Sequence, residues 1–454
     1  MASYNPSEVE LSPKRTLNLL LRLEASLIAL LTFSAGAAPR LIPVLFGLLG
    51  LIAALRLSRT DRRCLYVLLQ SPLAISLAIF IGYLFINAIW APDPAAGVLK
   101  AATVLGLTIA AFLIAGSYSL QAPEDVRVLA KCALAGLLTG AAFLLIEIVF
   151  DDAIMRFINN HIVKVMHAGH KNAQVVGGEV TEVSAFVLNR NATSMMLLLI
   201  PGALFTAALS NRAMHNGVLA SVVLLIGLSI LLSQSGTSTM AFFLSAFVLG
   251  VSMLSLQTAR FLIVTGWVLA TMLAVPLAKL PYDLGWQHWT WLPPESVAAR
   301  FYIWKYAADN TSAHMLTGIG IRGTRDLHLV IPLDPNDPNM GYALKGRAAR
   351  HPHNVFIQTW LELGAIGAVL LLSIGLAGLW SLRNWPSLLQ ASGYALFAAC
   401  CAIGLSGFDM FQTWLIGATA LAWSSMVLAK RLTYASATPG PQSWKFIPQA
   451  ASHF

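Results

Sequence analysis

The sequence predicts an all-α integral membrane protein of about twelve transmembrane helices with a large outer loop. Hydrophobic residues make up 57% of the chain, charged residues only 11%, and apolar runs of span length recur along it. A soluble domain carries about 25% charged residues, so this chain could not clothe a water-soluble fold of its size. A bilayer core takes roughly 20 apolar residues per helix. Runs of that kind lie near 17–36, 41–57, 64–90, 97–117, 127–150, 184–209, 217–233, 238–256, 260–280, 353–381, 388–407 and 410–430. The net charge of +9 does not point to nucleic acid, because most Lys and Arg flank apolar runs, where they fix topology.

Positively charged loops stay on the cytoplasmic side. With a cytoplasmic N-terminus, the inner loops carry Arg56, Arg59, Arg62 and Arg63, then Arg127 and Lys131, Arg212, Arg260, Arg383, and Lys430 with Arg431. The short outer loops Ala91–Ala96, Ser233–Ser238 and Ser406–Asp409 hold no Lys or Arg. That alternation predicts both termini in the cytoplasm.

The four cysteines, Cys64, Cys132, Cys400 and Cys401, fall in or beside apolar runs, which argues against a disulfide framework or a thiolate metal site. Residues 1–14 are polar, with no apolar core and small-residue cleavage site, so no cleaved signal peptide is expected. The organisation is therefore transmembrane helices over 1–280 with a shorter outer segment near 151–182, a large outer loop over 281–352, further spans over 353–430, and a cytoplasmic tail over 431–454.

A loop as long as 281–352 is functional or disordered. Trp286, Trp289, Trp291, Phe301, Tyr302, Trp304 and Tyr306 give this one material for a packed, interfacial structure. Pro294–Ala308 reads as a helix with Ser296 as its N-cap.

Where the loop re-enters the membrane, Pro352 suits a helix start and puts His353 at the first turn. Asn354, Gln358 and Glu362 follow at intervals of four, a polar stripe down one side. Polar groups at membrane depth are costly unless they face a cavity or partners, so the stripe is expected to line a cavity. Gly364 and Gly367 would admit a neighbouring helix closely. Arg300, among aromatics, offers a planar fork of donors matched to phosphate. Arg322, Arg325, Lys345, Arg347 and Arg350 share its loop and read more plainly as a solvated basic surface or as attraction to anionic headgroups. Asn189, Arg190 and Asn191 stand where the shorter outer segment meets its span, an interfacial anchor or a ligand contact. Glu147 and Asp409 read as paired structural charges. His351 and His353, with His314 and His328 in the same loop, come without HExxH, an acidic pair or a Cys cluster, so no metal site is expected. Gly318 and Gly320 lack the strand–helix context of a dinucleotide loop and read as a turn.

These features, in this order, resemble the bacterial O-antigen ligase family within the superfamily it shares with O-antigen polymerases. The resemblance runs from about 184 to 430. Its most specific element is His353–Asn354, nine residues, then Gly364 and Gly367; Arg300 with Trp304, and Gly318 with Gly320, match two further elements. It implies a GT-C-like, cofactor-free and metal-independent glycosyltransferase of the bacterial inner membrane, acting on the periplasmic face. The reaction implied moves a polysaccharide from undecaprenyl diphosphate to a sugar hydroxyl of lipid A-core. His353 would be the general base, Arg300 a diphosphate clamp, and Asn354 would orient the His or the acceptor. Many relatives carry an Arg just before the eighth span. Here Ser233–Thr239 has none, and Arg190 is the substitute, with Arg347, Arg350 and Arg322 as rival substrate contacts.

Two alternatives stand beside this reading. A polymerase or a protein O-oligosaccharyltransferase of the same superfamily would share the His and Arg chemistry and differ in acceptor. A transporter or flippase would show paired repeats with broken helices at the midplane, whereas the polar residues here gather at the outer ends of spans.

Overall fold

The computed structural model describes residues 13–59, 68–164, 166, 173–210, 215–289, 296–327 and 351–437. The amino-terminal half gives α1 (Pro13–Ala37), α2 (Ile42–Leu57), α3 (Pro72–Asn87), α4 (Pro94–Leu120) and α5 (Pro123–Val149). An outer segment follows, built from α6 (Ala153–His161) and an antiparallel hairpin of β1 (Ala173–Val176) and β2 (Glu179–Val183). Then come α7 (Asn189–Leu209), α8 (His215–Leu231), α9 (Gly236–Leu254), α10 (Leu256–Met272) and α11 (Ala274–Asp283). The outer loop carries α12 (Ser296–Thr311), and α13 (Val355–Ser381), α14 (Ser387–Ser406) and α15 (Thr413–Ala437) complete the chain.

Among the described residues nine helices are long and apolar enough to cross a membrane, or ten if α10 and α11 are one bent span. Proline punctuates them: α3, α4 and α5 each begin with Pro in the first turn, where its missing N–H costs nothing. Ser71 and Asp93 accept from the amides of Ala74 and Ala96 to cap α3 and α4, satisfying donors that lipid could not. The outward faces are aliphatic, as on α2, where Val44, Leu48, Leu51 and Leu55 are exposed.

α7 and α14 lie at the centre, each buried over 78% of its apolar window. Around α7 pack α1, α5 and α15. The seam between α1 and α5 is tight enough that a Cβ on Gly36 would collide with the Gly140 carbonyl, the small-residue packing that substitutes for a hydrophobic drive between helices in lipid. At the far end of this bundle Arg56 meets buried Glu24 at 2.7 Å, and Gln121 donates to the same carboxylate at 2.9 Å.

Two apolar runs depart from straight spans. The run near 260–280 bends by 78° between α10 and α11. Pro276 has no N–H for the Met272 carbonyl, so the first helix ends there. The Thr271 carbonyl, in the last turn before the break, accepts from Trp360 Nε1 at 2.7 Å. The run from 353 starts later than Pro352 suggested. Asn354 is the N-cap of α13 and accepts from the amides of Phe356 and Ile357 at 2.9 and 3.2 Å. His353 precedes the helix with φ 55°.

Candidate functional site

The site is organised by a break within α13. Gly364 has φ 67° and ψ −166°, a backbone region open in practice to glycine alone. The break frees carbonyls and amides that the membrane cannot satisfy, and residues 315–320 take them up. Ile319 and Gly320 donate to the carbonyls of Leu361 and Glu362 at 3.0 Å each, while Ala365 donates to Met315 at 2.8 Å. The Leu363 carbonyl accepts from Tyr83 Oη at 2.8 Å, and Asn87 Nδ2 donates to Thr317 at 2.9 Å. A Cβ on Gly318 would collide with the Glu362 carbonyl, and one on Gly364 with that of Leu316. The Gly318–Gly320 turn is thus the outer loop's seat on α13. Gly364 admits that loop, where the sequence suggested a helix.

The polar stripe is buried as well. Gln358 and Glu362 are each 1% exposed, so they line no open cavity. Glu362 accepts from the amides of Arg322 and Thr324 at 2.8 and 3.3 Å, pinning the loop where Arg322 turns left-handed at φ 63°. Gln358 donates to Asp409 Oδ1 at 2.8 Å and accepts from the Met410 amide at 3.1 Å. Arg325 completes the knot with a 3.0 Å bond to Asp409 Oδ2. Burial works against the Asp409 charge, but Gln358, the Phe411 amide, His351 and Arg325 outweigh it and hold its carboxyl below the usual value. Asp409 is a paired charge, as expected, whereas Glu147 is held by a backbone donor, the Met155 amide, at 3.1 Å.

His353 sits over this knot. Its Nδ1 lies 2.9 Å from the Gly407 carbonyl at the end of α14. A carbonyl only accepts, so Nδ1 carries the proton and Nε2 is left with its lone pair. Burial lowers the pKa of His353, the Gly407 carbonyl opposes that, and the positive Arg300 adds to the lowering. His351 lies beside it with ring centroids 4.1 Å apart; burial and the His353 charge push it down to about 4. Both rings are therefore neutral at neutral pH.

Helix α12 brings Arg300 to this place. Trp304, one turn further along, donates to the Pro352 carbonyl at 2.8 Å, and Ala307 and Ala308 pack on Ile357 and Leu361 of α13. Among the described residues Arg300 has no carboxylate partner. Burial lowers its pKa from the ordinary guanidinium value, so this charge stands in a partly dry setting without its own counterion.

A cavity of about 480 Å³ adjoins the knot through Arg325 and is also lined by Arg40, Lys100, Arg190 and Trp414. Of the residues singled out in the sequence, His353 and Arg300 come together, Asn354 caps α13 beneath them, and Arg322 lies on the Glu362 seat. Arg190 lines the cavity instead. Arg347 and Arg350 lie outside the described residues. Sequence reasoning passed over Arg40 and Lys100, although a lone Lys100 inside an apolar run and an Arg in the turn before α2 are each signals at membrane depth. Among the described residues no three His, Cys, Asp or Glu are grouped to hold a metal ion.

The comparisons with known proteins converge on one family. Residues 184–372 match the family model described as O-antigen ligase, which takes in α7 through most of α13 and hence Arg190, Arg300 and His353. A Rickettsia felis protein assigned by inference as a polysaccharide ligase is 27% identical over 159 residues, covering 34% of this chain and 36% of that protein. A Rickettsia typhi protein with the same assignment is 26% identical over 214 residues, 46% of this chain and 50% of its own length. The chain thus spans between about a third and a half of the length of these two relatives. Over residues 184–372, this chain is therefore similar to the O-antigen ligase family.

Proposed function

We propose that the protein is an O-antigen ligase of the bacterial inner membrane. It would move O-antigen polysaccharide from undecaprenyl diphosphate to a sugar hydroxyl of lipid A-core, with twelve spans, a GT-C-like architecture, a periplasmic site and both termini cytoplasmic. The observation that carries the chemistry is the His353 ring, fixed through Nδ1 on Gly407 with Nε2 unpartnered among the described residues, beside an Arg300 lacking a carboxylate.

A sugar hydroxyl gives up its proton only as its bond to the anomeric carbon forms, and a neutral imidazole suits that task. The acceptor oxygen bonds the anomeric carbon, the carbon–oxygen bond to the diphosphate breaks, and the hydroxyl proton passes to His353 Nε2. The lipid diphosphate leaves with the bonding pair. Arg300 neutralises its growing charge, with Arg190 as the second arm; Arg322, Arg347 and Arg350 are further candidate contacts, and Asn354 steadies His353 by fixing the start of α13. Displacement in one step would invert the anomeric centre. No metal is assigned a role, since the guanidinium supplies the charge.

The test is a deletion strain examined for its lipopolysaccharide ladder and complemented with wild type or His353→Ala. Loss of a ligase leaves bare core and polymer retained on the carrier. Core capped by a single repeat would indicate a polymerase instead, and a full ladder from His353→Ala would remove the general base. Transfer by purified protein should persist in chelator.

A further inference from the structure

We propose that the cavity between Arg40, Lys100, Arg190 and Arg325 binds the phosphate-bearing headgroup of a membrane lipid, received sideways along α2. This rests on the orientation and lipid-borne substrates just proposed. The four cations come from four separate places: the turn before α2, the first turns of α4, the start of α7, and the outer loop. No carboxylate is among the cavity's lining residues. Asp409 pairs with Arg325 from behind and also lies within electrostatic reach of Lys100, while Arg40 and Arg190 have no acidic partner among the described residues. Lys100 Nζ is steadied by Thr413 Oγ1 at 2.8 Å and lies within electrostatic reach of Arg322 and Arg325. Like charges gathered around one open depression attract an anion.

Two further observations choose the ligand. Arg40 and Lys100 stand at the outer ends of their helices, on the side from which Lys and Arg are depleted, so topology gives no reason for them. One wall of the cavity is Val44, 64% exposed, on the same exposed stripe of α2 as Leu48, Leu51 and Leu55. A headgroup in the cavity can therefore keep its chain in the bilayer against α2. At about 480 Å³ the cavity holds a diphosphate with room for a first sugar, within the usual range for ligand sites. Through Arg325, Asp409 and Gln358 it is joined to the seat of His353.

The test uses purified full-length protein in nanodiscs. A short-chain polyprenyl diphosphate, a phosphorylated lipid A-type glycolipid, and the uncharged polyprenol are the probes. Wild type should bind one or both phosphorylated lipids and not the alcohol. Arg40→Gln and Lys100→Met should each weaken binding about 10-fold, the loss of one charge-assisted contact, and Lys100→Arg should restore it. The Michaelis constant that rises in these variants, donor or acceptor, identifies which lipid uses the cavity. His353→Ala should bind as wild type while transferring nothing. If wild type binds the lipids but transfers no sugar to any acceptor, the proposed reaction fails and this site stands. Unchanged binding in both Arg40→Gln and Lys100→Met, or equal affinity for the alcohol, overturns the site.

Discussion

Asp409 holds Arg325 at 3.0 Å on one carboxylate oxygen and Gln358 at 2.8 Å on the other. The pair locks the outer loop to the re-entering helix α13 from the loop between α14 and α15. Because the Gly407 carbonyl that fixes His353 belongs to that same short loop, the lock also positions the imidazole. Asp409→Asn should therefore lower transfer by acting on His353 rather than on substrate. The expected cost in stability is about 1–3 kcal/mol, the range for leaving buried polar partners unmet. The check is a fall in kcat alongside a lowered melting midpoint, with no rise in either Michaelis constant, since Arg325 freed of its counterion would if anything hold an anionic headgroup more tightly.

Gly364→Ala addresses the break itself. At φ 67° and ψ −166° a side chain costs about 1–3 kcal/mol in backbone strain alone, and its Cβ would also strike the Leu316 carbonyl. Low yield and early unfolding are expected, and limited proteolysis should cut first within 315–325, the segment seated on the break. Gly378, with open space around its Cβ position, is the control: Gly378→Ala should be neutral or slightly stabilising.

How much of this was legible in the sequence follows from the kind of signal each feature leaves. The spans show in composition, because lipid demands apolar runs and Arg and Lys gather at many of their ends. His353 and Arg300 are visible as polar residues where the long loop meets the membrane. The break at Gly364 leaves no hydropathy signal, since Leu363, Ala365 and Ile366 around it are as apolar as any span. The stripe of Gln358 and Glu362 looked like a cavity wall because periodicity gives a face and not its partners. Those partners, the amides of Arg322 and Thr324 and the Asp409 carboxylate, lie 38 to 51 residues away in sequence. The cavity of Arg40, Lys100, Arg190 and Arg325 draws on positions 285 residues apart, and no local pattern joins them.

The acid side of the pH profile tests the electrostatics of His353. Only the neutral imidazole accepts a proton, so activity falls as pH drops through its pKa. Burial and Arg300 lower that pKa below the ordinary 6.5, so wild type should keep its rate below pH 6.5. Arg300→Gln removes a positive charge, which makes the imidazolium easier to form and raises the pKa. Its residual activity should therefore fail at a higher pH than wild type. Titration of histidine-labelled protein by NMR gives the same ordering independently of rate, and an unmoved His353 resonance would separate Arg300 from the base.

Far from this site, the buried pair of Glu24 and Arg56 offers a test of fold without function. Arg56→Met leaves the Glu24 carboxylate, 1% exposed, with Gln121 and Ser117 as its remaining partners. Breaking a buried pair from one side costs about 3–5 kcal/mol, whereas replacing both members with apolar groups of similar volume is often neutral. Arg56→Met alone should therefore lower the melting midpoint in detergent markedly, and adding Glu24→Leu should recover most of the loss. Since Arg56 lies at the opposite end of α2 from the Arg40 turn, the recovered double variant should transfer sugar with wild-type Michaelis constants. A double variant as unstable as Arg56→Met would mean that the pair's hydrogen bonds to Gln121 and Ser117, rather than its charge balance, hold α1, α2 and α4 together.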